Sequence, residues 1–340
     1  MFMLNLLNII KKEWFLVGML GAIVVAILAP ALGQNQGALH LETVTHIGIA
    51  IIFFLHGIGL SPEKIRSGLS NWRLHLAIQI TTFGIYPLIW IISHQGFYAL
   101  FPTSLAIGFC YLLVLPSTIS SSVAMTAIGK GNVPGAIFNA SLSSVLGVIL
   151  TPLLMGLLTT QSHISGAQEL SNTITTVAQT LLLPMLIGQL CRPFLAAPLQ
   201  RYRAITGKID KWVIILIVLN AFSNSVADHI WQDFSLSSLI SSILICCVIL
   251  IIICTLLQHG SRWLKFNHED EVATVFCGTK KTLAAGIPMA QVIFGGSPDL
   301  GMILLPIMLY HPIQLFYCAF LANRYAAQAP DTPLESNTTP

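Results

Sequence analysis

Charge of either sign is scarce in this chain. Thirteen Asp and Glu and sixteen Lys and Arg are spread over 340 residues, a charged fraction of 9%. A soluble domain carries about 25%. The surface of a soluble fold has to be covered largely by polar groups, so a soluble enzyme and a disordered chain are both excluded. Metal motifs are missing as well. The seven cysteines (Cys110, Cys191, Cys246, Cys247, Cys254, Cys277, Cys318) lie mostly inside apolar runs, with no CxxC or Cys/His spacing. They read as buried thiols, not as a disulfide frame. No HExxH pair, Ser/His/Asp order or intramembrane Asp dyad is present, so no enzyme chemistry and no cofactor are expected. A net charge of +3 offers nothing for nucleic acid.

What the chain has is apolar length. Hydrophobic residues make up 55% and the mean hydropathy is +0.79. A spanning helix needs about 20 apolar residues. That length places spans at 14–33, 41–60, 72–94, 99–128, 132–158, 172–192, 208–228, 237–258, 270–295 and 299–323. The run from Trp14 to Leu32 exceeds the core of a signal peptide, although Ala29-Pro30-Ala31 imitates a cleavage site, and it reads as a retained helix. Fourteen of the sixteen basic residues fall in alternate connections: Lys11 and Lys12; Lys64, Arg66 and Arg73; Lys130; Arg192, Arg201, Arg203, Lys208 and Lys211; Arg262 and Lys265; Arg324. The opposite loops, 34–40, 95–98, 159–171 and 229–236, hold none. This alternation supports ten crossings, and the positive-inside rule places both termini in the cytoplasm. The stretch 325–340, rich in Pro, Thr, Ser and Asn, reads as a disordered cytoplasmic tail. Loop 259–271 reads as a solvated hinge.

Two segments interrupt the apolar pattern. Leu115-Pro116-Ser117-Thr118-Ile119-Ser120-Ser121-Ser122 lies in the fourth span. Cys277-Gly278-Thr279-Lys280-Lys281-Thr282, followed by Gly286-Ile287-Pro288, lies in the ninth. Irregular backbone survives at membrane depth only inside protein or beside a water-filled cavity. Breaks at the fourth and ninth positions correspond if the chain is two five-span halves, 1–158 and 172–323. An odd number of spans makes those halves inverted, and paired broken helices in an inverted repeat point to a midplane binding site. Lys280 and Lys281 are the two remaining basic residues. An intramembrane ammonium costs several kcal/mol and is a functional candidate by default. No Asp or Glu lies deep in any span to pair with it. Each lysine can bond hydroxyls and carbonyls, give up its proton, or meet an external anion. Neighbours on a helix point about 100° apart, so at most one of the two faces the cavity centre, and one is free to snorkel. Gln79, Asn139, Ser141, Ser143, Ser144, Asn220, Asn224, His311 and Gln314 each read singly as interhelical hydrogen bonds. Gln79, Asn139 and His311 gain weight because their spans flank the broken helices. His56 and His75 read as interfacial.

The stretch Pro116 to Ala124, then Gly131-Asn132-Val133-Pro134 and Thr151-Pro152-Leu153-Leu154, resembles the first crossing region of the bile acid:sodium symporter family. Cys277 to Ala284 resembles the second crossing region in its SBF-like branch. The resemblance runs in order over nearly the whole chain. It implies an all-α polytopic membrane protein of ten transmembrane helices, two inverted five-helix repeats, core and panel domains, alternating access and two sodium sites near the crossover. Gln79 matches a sodium-ligating glutamine of helix three. Ser121 and Ser122 match, approximately, a Ser-Asn pair of helix four. Asn139, Ser141 and Ser143 lie close to the helix-five ligands, and His311 matches a His-containing turn of helix ten. Helix nine departs from the pattern. Where family members carry acid and amide ligands, this chain has Phe276, Cys277, Gly278, Thr279, Lys280 and Lys281. An ammonium about 4 Å from a sodium ion at an effective dielectric near 20 repels it by roughly 4 kcal/mol.

The expected function is secondary transport of a small or amphipathic organic anion across the cytoplasmic (inner) membrane, coupled to sodium or protons. Sodium is the only ion implied, with Ser121, Ser122 and Gln79 as its candidate ligands. Ser120, Ser121, Ser122, Thr279 and Thr282 line the crossover, Gln79, Asn139, Ser141, Ser143 and His311 add polar contacts, and Lys280 or Lys281 supplies a tethered cation or a proton carrier. The partners are the anion and the lipid bilayer, and no oligomeric state is fixed. A cation/proton antiporter and a non-transporting regulator of ion homeostasis remain as alternatives.

Overall fold

The computed structural model describes residues 14–35, 37, 39–59, 71–159, 175–232 and 234–329. Among them all regular structure is helical. The elements are α1 (Trp14–Leu28), the single turn α2 (Pro30–Gly33), α3 (Leu41–Gly59), α4 (Trp72–Leu100), α5 (Thr103–Val114), α6 (Ser120–Ile128), α7 (Val133–Thr159), α8 (Thr175–Leu199), α9 (Arg203–Ala227), α10 (Leu236–Trp263), α11 (His268–Thr279), α12 (Leu283–Phe294) and α13 (Leu300–Gln328). Among the described residues, seven helices are long and apolar enough to cross a membrane: α3, α4, α7, α8, α9, α10 and α13. This is a polytopic helical membrane protein.

Local chemistry sets the ends. Asn71 caps α4 through Leu74 N, Asn267 caps α11 through Asp270 N, and Thr282 caps α12 through Ala285 N. Each side-chain oxygen satisfies an amide that the helix itself leaves unbonded. Glu269, Asp270 and Glu271 fill the first turn of α11, where the helix dipole favours anions. Single π-turns, Thr81–Ile85 and Ala178–Leu182, lie within α4 and α8.

Two packing groups are visible. In one, α3 lies along α8, and α9 packs on α1, α2 and α3. Backbones touch there: a Cβ on Gly57 would strike the Met185 carbonyl, and one on Gly188 the Phe54 carbonyl. In the other group, α13 packs on α5 and α10, α11 on α4, α6, α7 and α10, and α7 on α5 and α6. The groups meet where α9 contacts α12 and α13.

Polar clusters tie the helix ends. At one end Asp270 accepts from Asn71 Nδ2 at 2.6 Å and from Asn132 Nδ2 at 2.7 Å, and Tyr325 donates to Glu271 at 2.8 Å. At the other, Asn35 Oδ1 accepts from Asn220 and Asn224 at 2.9 and 3.0 Å, and Ser225 Oγ donates to Pro298 O and accepts from Gly301 N.

Several sequence expectations shift. The helix holding Arg192, α8, continues through Pro193 and Pro198 to Leu199. The expected hinge 259–271 shrinks to the few residues between Trp263 and His268, because its acidic residues open α11. The first residues of the expected tail are helical, since α13 continues through Gln328, and Tyr325 is buried and donates to Glu271; residues 330–340 lie outside the described residues. His75 is not interfacial. It is buried 2.8 Å from Asn139 Nδ2, against the Phe138 ring.

Candidate functional site

Both polar interruptions are real breaks, and they cross each other. α5 stops at Val114 and α6 starts at Ser120; α11 stops at Thr279 and α12 starts at Leu283. A helix that ends inside a membrane leaves its last carbonyls unbonded, and the crossing satisfies them from the opposite chain segment. Thr282 N donates to Pro116 O at 2.9 Å. Ser117 Oγ donates to Cys277 O at 2.6 Å. Thr279 O accepts from Tyr86 OH at 2.7 Å and Tyr310 OH at 3.0 Å, and Val114 O accepts from Thr151 Oγ1 at 2.9 Å. Gly147 permits this approach, because a Cβ there would strike the Pro116 ring.

The two lysines divide the remaining work. Lys281 Nζ donates to Thr82 O at 3.1 Å, Leu113 O at 3.1 Å and Leu115 O at 2.7 Å, and sits 3.8 Å from the centre of the Tyr86 ring. Three acceptors match the three N–H bonds of an ammonium, and the ring face supplies a cation–π contact. The acceptors Leu113 and Leu115 lie at the negative end of the α5 dipole. Gln314 clamps the same residue from the backbone: its Oε1 accepts from Lys281 N and its Nε2 donates to Lys281 O, both at 2.9 Å, with His311 Nδ1 3.0 Å away. Lys280 is also buried, and its Nζ donates to Ser121 O at 3.1 Å.

The other residues named from the sequence fall into three places. In the crossing, Ser143 Oγ accepts from Ser117 N at 2.9 Å, Ser122 joins Ser117 and Thr118 in a buried hydroxyl cluster, and Thr279 is buried against Cys318. Beside a cavity of about 820 Å³ lie Ser120, Ser121, Thr282 and His311. Away from both, Gln79 donates to Asn139 O and Oδ1 at 3.2 and 3.3 Å, and Gln79 Oε1 is buried without a partner. Ser141 bonds its own helix at Ile137 O and lines an apolar arm of about 490 Å³.

The cavity touches the first turns of both α6 and α12 and extends to His56, Lys208, Asp210 and Lys211. The imidazole of His56 is 3.6 Å from Asp210, and Lys211 Nζ lies 5.3 Å from the Trp14 ring centre. The apolar arm shares His56, Ile119, Ser120, Ser144 and Ala285 with the cavity and adds Phe53, Val123, Val148 and Met185. Sequence reasoning missed Tyr86 and Tyr310, named Thr151 only as part of a motif, and noted Gln314 only as a generic polar contact. The useful signal for the tyrosines is a phenol placed deep in a span, where its hydroxyl requires a partner.

At the crossing five carbonyl oxygens already accept from a lysine amine or a serine hydroxyl, while Oε1 of Gln79, which the resemblance matches to a sodium ligand, is buried without a partner. Among the described residues no cluster of three His, Cys, Asp or Glu can hold a metal.

An uncharacterized Pseudomonas aeruginosa protein is 39% identical over 320 residues, covering 93% of this chain and 94% of its own length. The Escherichia coli K12 protein YfeH, named as a candidate symporter, is 39% identical over 287 residues, covering 84% of this chain and 85% of its own. The sodium/bile acid cotransporter 7 of Rattus norvegicus is 32% identical over 315 residues, covering 92% of each chain. The SBF-like CPA transporter family matches residues 13–327. The chain therefore belongs to the SBF-like CPA transporter family, a family of multi-pass membrane transporters and not of enzymes.

Proposed function

We propose that this protein is a secondary active transporter of the cytoplasmic membrane that carries a small or amphipathic organic anion by alternating access. The observation that carries this reading is the meeting of two helix N-termini, those of α6 and α12, at one cavity with a lysine-bearing mouth. Each helix start presents free amides and about half a positive charge. The hydroxyls of Ser120, Ser121 and Thr282 and the His311 ring add donors at the same floor, and the apolar arm suits a hydrocarbon body. The rat relative's name, a sodium/bile acid cotransporter, is in keeping with an amphipathic anion and a cation gradient.

Ten crossings follow if α1–α2, α5–α6 and α11–α12 each count as one span beside the seven long helices. The inverted halves 1–158 and 172–323 rest on the broken pairs standing fourth and ninth. The two leading half-helices, α5 and α11, have 12 residues each, or about 18 Å apiece. They reach the crossing from opposite faces. In this reading α1, α3, α8 and α9 form the panel and the other spans the core. The cavity lies between them on the basic, cytoplasmic side, and Ser225 closes the outer side.

Lys281 is the tethered cation of the crossing, standing where a sodium-dependent relative would place an ion. Lys280, with one acceptor beside the cavity-lining Ser121, is the candidate proton carrier. This chemistry gives protons a route through Lys280 and leaves the sodium gradient as the other driving force to be tested. The test is uptake of radiolabelled taurocholate by reconstituted vesicles under an imposed pH gradient, an imposed sodium gradient, or neither. The expected result is uptake driven by the pH gradient and lost in Lys280→Ala. If folded Lys280→Ala and Lys281→Ala variants both transport at the wild-type rate, the lysine roles are wrong. Proton flux without any organic anion would indicate an antiporter instead, and absence of all flux a regulator.

A further inference from the structure

A second concave feature lies on the opposite flank, away from the transport cavity. It is an apolar groove of about 870 Å³ between α4 and α10, lined by Ile80, Thr81, Ile252, Leu256, Ser261 and Trp263 among others. Its walls face the bilayer: Ile80 and Ile252 are about half exposed and Trp263 is 84% exposed. Along α10 it runs from Ile251 to Trp263, roughly 18 Å at helical rise. That is the depth of one leaflet of a hydrocarbon core about 30 Å thick.

Three observations select the occupant. First, the groove ends on the basic side of the bilayer, where two exposed basic residues, Arg262 and Lys265, adjoin its lining residues Ser261, Trp263 and Leu264, with the carboxylates of Glu269, Asp270 and Glu271 opening α11 nearby. Arg262 is exposed, with its Nε 3.8 Å from Glu271, and Lys265 is exposed in a left-handed turn (φ 56) just beyond Trp263. Arg73 braces that turn by donating to Leu264 O at 3.1 Å. Second, an exposed Trp stands at the same level, where indoles settle among headgroups. Third, Ser261 lines the groove with its hydroxyl buried and unbonded. A buried donor without an acceptor costs about 1–3 kcal/mol in a protein interior, and rotation of this short side chain toward the groove would let an ester carbonyl of a lipid at this depth relieve it.

We propose that this groove binds an anionic glycerophospholipid of the cytoplasmic leaflet, with one acyl chain between α4 and α10, a glycerol ester at Ser261 and the phosphate at Arg262 and Lys265. The π-turn Thr81–Ile85 forms part of the groove wall and lies on the same helix as Thr82 and Tyr86, which hold Lys281. Occupancy therefore bears on the helix that frames the crossing.

Brominated-lipid quenching of Trp263 fluorescence tests the site in the full-length protein. Phosphatidylcholine vesicles receive increasing fractions of brominated phosphatidylglycerol or brominated phosphatidylcholine, and subtraction of the Trp263→Phe signal isolates Trp263. The expected result is quenching at a several-fold lower fraction of the anionic lipid, since a basic side chain near the surface is worth roughly fivefold in binding. The Arg262→Gln/Lys265→Gln double variant should bring the two curves together, and Ser261→Ala should weaken both. Equal quenching by the two lipids in the wild type would reduce the groove to ordinary annular contact and overturn the proposal. So would quenching that falls as protein density rises, which would mean that a second copy covers the groove.

Discussion

Lys281 is the most demanding residue in the chain, because an ammonium is held in a membrane by three main-chain carbonyls and a phenol ring. Replacing it with methionine keeps most of the volume and leaves those carbonyls unbonded. Lys281→Met is expected to cost about 3 kcal/mol or more, seen as a lower thermal midpoint in detergent, and to abolish transport. Its presence was legible because a basic residue amid apolar ones stands out. Its partners were not. Thr82, Leu113 and Leu115 contribute only backbone oxygen, which every residue type carries, and Tyr86 and Tyr310 count as apolar aromatics until their hydroxyls are placed. Gln79 and Asn139 were correctly singled out as polar, yet they bond one another beside His75. Which polar residues converge is set by helix rotation, and hydropathy does not report rotation.

Among the elements, α11 gathers its neighbours at its acidic start. Asp270 holds Asn71 of the α4 cap and Asn132 at the start of α7, so one carboxylate ties three helices. Asp270→Ala removes the acceptor for both amides. Hydrogen bonds to a charged group contribute about 1.5–3 kcal/mol each, so thermal unfolding should show a loss of about 3 kcal/mol, with Asp270→Asn intermediate. Span positions were readable from length and from the alternation of basic residues. The π-turns were not, since one extra residue in a turn leaves hydropathy unchanged. Nor was the start of α11, where three acidic residues resemble a solvated loop until the dipole that favours them is considered.

For the molecule as a whole, the decisive asymmetry is a cavity on the basic side and a hydroxyl latch on the other. In the proposed orientation, a cysteine at the cavity-lining position 120 (Ser120→Cys, in a background lacking reactive native thiols) should react with an impermeant maleimide from the cytoplasmic face of inverted vesicles. It should be protected from the outer face. Ser225→Ala removes the bridge between α9 and the start of α13, and it should raise labelling from the outer face. Unchanged labelling would separate the latch from access.

A cation fixed to the chain cannot be left behind on the far side. In the proposed mechanism, with Lys280 unprotonated and one monovalent anion bound at the crossing, the Lys281 charge is offset and the loaded carrier crosses without moving net charge. Empty, it carries its ammonium back through the field, and each elementary charge is worth about 2.3 kcal/mol per 100 mV. An inside-negative membrane should thus hold the empty carrier with its cavity inward. Exchange of anion for anion should then ignore voltage, while net uptake slows as the interior is made more negative. Potassium-clamped vesicles with valinomycin measure both modes, and an equal voltage response in the two would show that the crossing returns without its charge.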